Sequence, residues 1–219
     1  MGRGETGCDA SDDDGLGSAW QPEHNATVAS FYLDRFEATV GRFRNFVDQY
    51  DGTPPANGEA AHPLISGSGW NSAWDGNLPV DQAALINNIK CDETYQTWTD
   101  SVGTNESYPV NCVSWYEAFA FCIWDGGRLP TGAEWEYAAA GGSDNRLFPW
   151  GQALPGCGQA NCSEEGNSPL IAVGSYAGGQ GRWGHDDLAG SMLEWTLDYY
   201  DVNRYSPGPG NPCDNCANL

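Results

Sequence analysis

Lysine occurs once in this chain of 219 residues, at Lys90, and all basic residues together number 9 against 30 acidic ones, a net charge of −21. A surface so poor in cations repels phosphate backbones, which excludes a nucleic-acid binder. Long apolar runs are missing too. No stretch approaches the length of a membrane span, and Met1 to Gly7 lacks the apolar segment of a secretory leader. Histidine is scarce: His24, His62 and His185 are scattered, and no nucleophile-elbow sequence accompanies them, so nothing assembles a hydrolase triad. The glycine clusters lack the strand–glycine–helix context of a phosphate loop, which argues against nucleotides.

What is present points to loops. Charged residues are only 18 % of the chain, whereas there are 29 Gly, 13 Pro, 10 Trp and 10 Tyr. Turns and ordered loops held by large aromatic anchors fit that composition better than long helices do. The fold class expected is α+β with a low share of regular structure. Abundant carboxylates also suit a hard cation such as calcium, which takes six to eight oxygen ligands.

Eight cysteines (Cys8, Cys91, Cys112, Cys122, Cys157, Cys162, Cys213 and Cys216) in a loop-rich chain point to disulfides and an oxidising compartment, extracellular or periplasmic. The alternative is that some are buried thiols. Pairing stays open, since eight cysteines allow about 105 connectivities. Gly7-Cys8 fits either the remains of a lipoprotein processing site or a plain boundary. Cys213-x-x-Cys216 reads as a structural disulfide, with a redox pair or a zinc half-site as the sharper alternatives.

Along the chain, residues 1–25 are polar and rich in Gly and Asp, and read as a disordered leader or linker ahead of a domain over 26–219. Alternation predicts a strand over Val28 to Phe36. Thr39 can cap a helix whose apolar face is Val40, Phe43, Phe46, Val47 and Tyr50. Residues 51–107 read as mostly irregular, anchored by Trp70, Trp74 and Trp98. Tyr108-Pro109-Val110 is extended. Ser114 with Glu117 and Thr131 with Glu134 each make a capping box, predicting a helix that presents Trp115, Ala118, Phe119 and Cys122 and stops at Asp125-Gly126-Gly127, then a second through Ala140. The apolar bursts Leu147 to Trp150 and Leu170 to Tyr176 predict short strands. Trp115, Trp124, Trp135 and Trp195 read as core rather than as a ligand groove.

Residues 108–142 (YPVNCVSWYEAFAFCIWDGGRLPTGAEWEYAAAGG) resemble the signature of the formylglycine-generating enzymes, the sulfatase-modifying-factor family. Phe148-Pro149-Trp150-Gly151, Val173-Gly174-Ser175-Tyr176 and Gly184 to Trp195 (GHDDLAGSMLEW) continue the likeness in the family's order, and Phe31 to Phe46 resembles its opening. The resemblance covers about residues 28 to 200. It implies a variant of the C-type-lectin fold, and an activity in which a copper-dependent oxidase turns a cysteine of a sulfatase client into formylglycine. In the family, two cysteines that follow a Gly-Gly-Ser-Trp-like strand bind the copper. Cys213 and Cys216 lie too early to match them, so the domain is expected to be incomplete at its C-terminus, with copper bound only if a longer chain supplies that pair. The alternative function is a non-catalytic, calcium-stabilised, lectin-like module that binds a ligand or protein.

The resemblance also implies structural calcium, held by the side chains of Asp187 and Glu194 and the carbonyls of Gly190 and Met192. A second site would use Asn161 and the carbonyl of Cys162, completed by Glu164 or Glu165. Spacing alone leaves open that Asp187 is solvated, that Glu194 caps a turn, and that 161–165 is an ordinary polar loop. Three positions depart from the family pattern. Gly132 stands where a glutamate is usual in a helix first turn, which loses a favourable charge near the helix N-terminus. Ser191 and Leu193 stand where the family has asparagine and tryptophan.

Overall fold

Thr39 starts the first helix as its sequence requires: the Oγ1 accepts the Arg42 N–H at 3.2 Å, and α1 runs Val40–Val47. The computed structural model describes residues 25–156, 158–161, 169–201 and 213–219. The expected leader 1–25 therefore lies, except for Asn25, outside the described residues. Contacts divide the chain into two units, 37–129 with 169–175, and 1–36 with 130–168 and 176–219.

In the first of these units, α1 packs Phe43 and Phe46 against α3 (Trp115–Trp124), with ring centroids 5.2 and 5.9 Å from Phe121. The capping box of α3 is complete: Ser114 accepts the Glu117 N–H, and the Glu117 carboxylate accepts the Ser114 N–H at 2.8 Å. That carboxylate is fully buried and also accepts Asn88 Nδ2 at 2.9 Å. One residue thus closes α3 and ties it to α2 (Gln82–Asn88), a helix the sequence reading leaves irregular. The α2 signal is short: Asp81 accepts the Ala84 N–H, and only Leu85 and Ile89 of one face are buried.

Trp70 and Trp98 anchor their loops in the core as expected. The expected face of α3 is corrected. Phe119 is buried, but its companions are Glu117, Ala120 and Phe121, while Trp115, Ala118 and Cys122 are half-buried. A helix this apolar all round leaves its orientation to its neighbours. A disulfide joins Cys91 to Cys112, and 108–110 is extended, bridging to Thr39.

The other unit carries β1 (Ala26–Thr27), α4 (Gly132–Ala139) and β2 (Cys213–Asp214). Thr131 and Glu134 close the α4 capping box, and Gly141 and Gly142, at φ 67° and 60°, turn the chain out of the helix. β1 and β2 pair in parallel, Ala26 opposite Cys213. The strand expected over 28–36 is not formed. After Thr27 no ladder partner for that backbone is present among the described residues, and Phe31 instead packs edge-on against Tyr137 at 6.3 Å. The strands expected at 147–150 and 170–176 reduce to one bridge, Phe148 to Gly151, and to irregular chain. Among the described residues, no helix is long and apolar enough to cross a membrane.

Candidate functional site

The loop after Gly184 is built by backbone that most residues avoid. Asp187, Gly190 and Ser191 all have positive φ, at 61°, 81° and 57°. Asp186 secures its start: its carboxylate is buried, accepts Arg35 Nε at 2.8 Å, and its N–H donates to the Arg35 carbonyl at 2.9 Å. Asp187 beside it is also buried.

At the loop's centre the chain meets a distant segment. Gly190 bridges to Asn161, the Ser191 N–H donates to the Asn161 carbonyl at 3.3 Å, and the Met192 N–H donates to the Gly190 carbonyl at 2.7 Å. Gly190 is required twice over. Its φ is left-handed, and a Cβ there would lie 2.7 Å from the Asn161 oxygen. Gly190→Ala is therefore expected to destabilise the protein by about 1–3 kcal/mol, read as a lowered denaturation midpoint. An asparagine would tolerate the left-handed backbone at 191 better than Ser191 does.

Glu194 receives the Trp135 indole N–H at 3.1 Å, so α4 fixes one of its oxygens. Burial of the carboxyl pushes it up to about 6, helped by the nearby Asp187 charge and opposed by the Trp135 hydrogen bond. The residue as a whole keeps solvent-exposed surface.

The structure thus draws together four of the sequence-predicted residues, Asp187, Gly190, Met192 and Glu194, and places Asn161 against the same loop. Cys162, Glu164 and Glu165 lie outside the described residues. No group of three or more His, Cys, Asp or Glu side chains comes together as a metal cluster among the described residues, so a cation here would need backbone carbonyls as well as carboxylates. Trp135 is the residue sequence reasoning missed; it reads there only as core. Trp195 is corrected from core to exposed, at 51 %, and Leu193, Tyr199 and Tyr200 are exposed beside it in sequence.

The charge missing at Gly132 is restored from afar. Asp198 Oδ2 accepts the Gly132 N–H at 2.6 Å, placing a carboxylate at the N-terminus of α4.

A family model described as a sulfatase-modifying factor enzyme 1-like domain matches residues 1–217. The chain is 29 % identical to the formylglycine-generating enzyme of Mus musculus, over 87 % of this chain and 55 % of that protein. It is 31 % identical to the hercynine oxygenase of Mycolicibacterium smegmatis, over 80 % of this chain and 39 % of that protein. It is 30 % identical to the inactive C-alpha-formylglycine-generating enzyme 2 of Bos taurus, over 92 % of this chain and 69 % of that protein. The chain spans about half the length of the mouse and bovine formylglycine-generating enzymes it matches.

Proposed function

The chain belongs to the family of sulfatase-modifying factor enzyme 1-like domains, and we propose on that basis that it is a formylglycine-generating-enzyme-like protein whose client is a cysteine-containing segment of a sulfatase. The observation that carries this reading is the family match through nearly the whole chain, joined by relatives named formylglycine-generating enzyme. A C-type-lectin-like architecture and an extracellular or periplasmic location belong to the same reading; the disulfides Cys91–Cys112 and Cys213–Cys216 agree with the location.

The role assigned to these residues is that of a calcium-stabilised scaffold. Asp187 and Glu194 supply carboxylates, and Gly190 and Met192 supply carbonyls. Two acids whose charges oppose each other, one of them raised by burial, form a donor set that a divalent cation would relieve. Asn161, with the carbonyl of Cys162, is the candidate for a second cation. Joined to each other, Cys213 and Cys216 offer copper no thiolates. This reading places the copper-binding pair outside these residues and routes no oxidative step through them.

A second reading, a non-catalytic module that binds a ligand or protein, is favoured by the exposed Leu193, Trp195, Tyr199 and Tyr200. The two are separated by offering a sulfatase-derived cysteine peptide, with copper and oxygen, to the full-length protein. Loss of mass on the peptide, as the thiol becomes an aldehyde, is expected of the enzyme. An unchanged peptide that is still retained by the protein would favour the module.

A further inference from the structure

We propose that the Cys213–Cys216 disulfide is a thiol-exchange site, open to a dithiol reductant, whose opening uncouples strand β1 from the N-terminus of α4. The segment 213–218 holds two separate parts of its unit. Its first half is bound to β1: the Cys213 N–H donates to the Asn25 carbonyl at 3.1 Å, the Asn215 N–H to the Thr27 carbonyl at 2.8 Å, and Asn215 Oδ1 accepts the Ala29 N–H at 2.7 Å. Its second half is bound at 198–199. The Asn218 N–H donates to Asp198 Oδ1 at 2.9 Å, and Asn218 exchanges two further bonds with the Tyr199 backbone, at 2.7 and 2.8 Å.

Asp198 gives its other oxygen to the Gly132 N–H, the first residue of α4. A continuous path therefore runs from β1 through the Cys-Asp-Asn-Cys turn to the capped end of α4, the helix that carries Trp135. The disulfide closes that turn between the two anchors, across Asn215, whose φ of 42° is left-handed. With the bridge open, nothing covalent holds Asn215 there, and the two halves can move apart.

The two sulfurs differ in access. Cys213 is buried at 2 % exposure, while Cys216 is half-buried. Exchange starts by attack of a thiolate on the more accessible side of the bridge, and the less buried residue of this pair is Cys216. The first thiolate of the reductant bonds to Cys216 Sγ as the Cys213–Cys216 bond breaks, and Cys213 leaves as a thiolate and takes a proton. The reductant's second thiolate then displaces Cys216. The balance is one dithiol oxidised to a cyclic disulfide and one protein disulfide reduced to two thiols. The Cys216 carbonyl lies 4.0 Å from Cys213 Sγ, an acceptor in place for the new S–H. None of this needs a bound cation.

Two measurements on the whole chain test the proposal. Graded dithiothreitol, followed by alkylation and mapping by mass, is expected to label Cys213 and Cys216 while the chain stays folded. Hydrogen exchange is then compared between the oxidised protein, the selectively reduced protein and C213S/C216S. The amides of 132–134, 27–29 and 198–199 are expected to exchange about tenfold faster or more once the bridge is open, while 136–139 of α4 and 115–124 of α3 stay protected and report that each unit remains folded. Cys213 and Cys216 that label only once the chain unfolds, or unchanged exchange at 132–134 with the bridge open, would overturn the proposal. Should the double variant fail to fold, the selectively reduced wild type decides the second measurement.

Discussion

Phe119→Ala is expected to destabilise the protein by about 3–5 kcal/mol, the range for deleting a buried aromatic ring and leaving its cavity. Phe119 is fully buried in α3. Its ring lies 5.7 Å from Trp70, 6.1 Å from Trp74 and 5.2 Å from Trp115, so it joins the irregular 51–107 region to the helix. Bulky indoles on three sides cannot collapse far into the space the ring leaves. Urea unfolding followed by tryptophan fluorescence measures the loss directly. A change below about 1 kcal/mol would mean that this cluster is not the core of its unit.

Arg44→Ala carries the second large effect. Arg44 is mostly buried on α1, reaches both carboxylate oxygens of Glu106 through Nε at 3.1 Å, adds a third contact from Nη2 at 2.7 Å, and lies over the Trp98 ring at 4.2 Å. Truncation removes a forked charge-assisted pair and a cation–π contact, and a loss of about 2–4 kcal/mol is expected. Arg44 also holds the Glu106 carboxyl below its ordinary value, mainly through the hydrogen bond. The sign follows: Glu106 stabilises the fold above its unfolded value and loses that contribution as pH falls through its lower folded value. The wild type is therefore expected to lose stability toward acid more steeply than Arg44→Ala near and below pH ~4. Parallel pH profiles of the two proteins would contradict the assignment.

The sequence made local structure legible where a side chain and its target are three residues apart. Both capping boxes, the Thr39 cap and the glycine stops after α3 and α4 need only that spacing and a tolerant backbone. It failed where a partner is remote. The strand signals are alternation at 28–36 and apolar bursts at 147–150 and 170–176, but a strand exists only by pairing, and among the described residues β1 pairs at just two positions. α2 escapes notice because seven residues with one buried side chain, Leu85, give little periodicity.

The candidate site divides in the same way. Asp187, Gly190, Met192 and Glu194 lie within eight residues and came from the family resemblance. The contact of Asn161 with Gly190, the Trp135 hydrogen bond to Glu194 and the carboxylate that Asp198 lends to Gly132 span 29, 59 and 66 residues of chain, and no local pattern encodes them.

The proposal that the loop 187–194 holds calcium is tested most directly by titration calorimetry of calcium into chelator-stripped protein. Binding with a dissociation constant of about 10⁻⁴ M or tighter is expected. The melting temperature should rise with calcium and fall with chelator, because the cation binds the folded state. Asp187→Gly, chosen because glycine accepts the left-handed backbone there, and Glu194→Ala should each remove the binding heat. No heat together with a melting curve indifferent to chelator, or binding that survives both substitutions, would contradict the account.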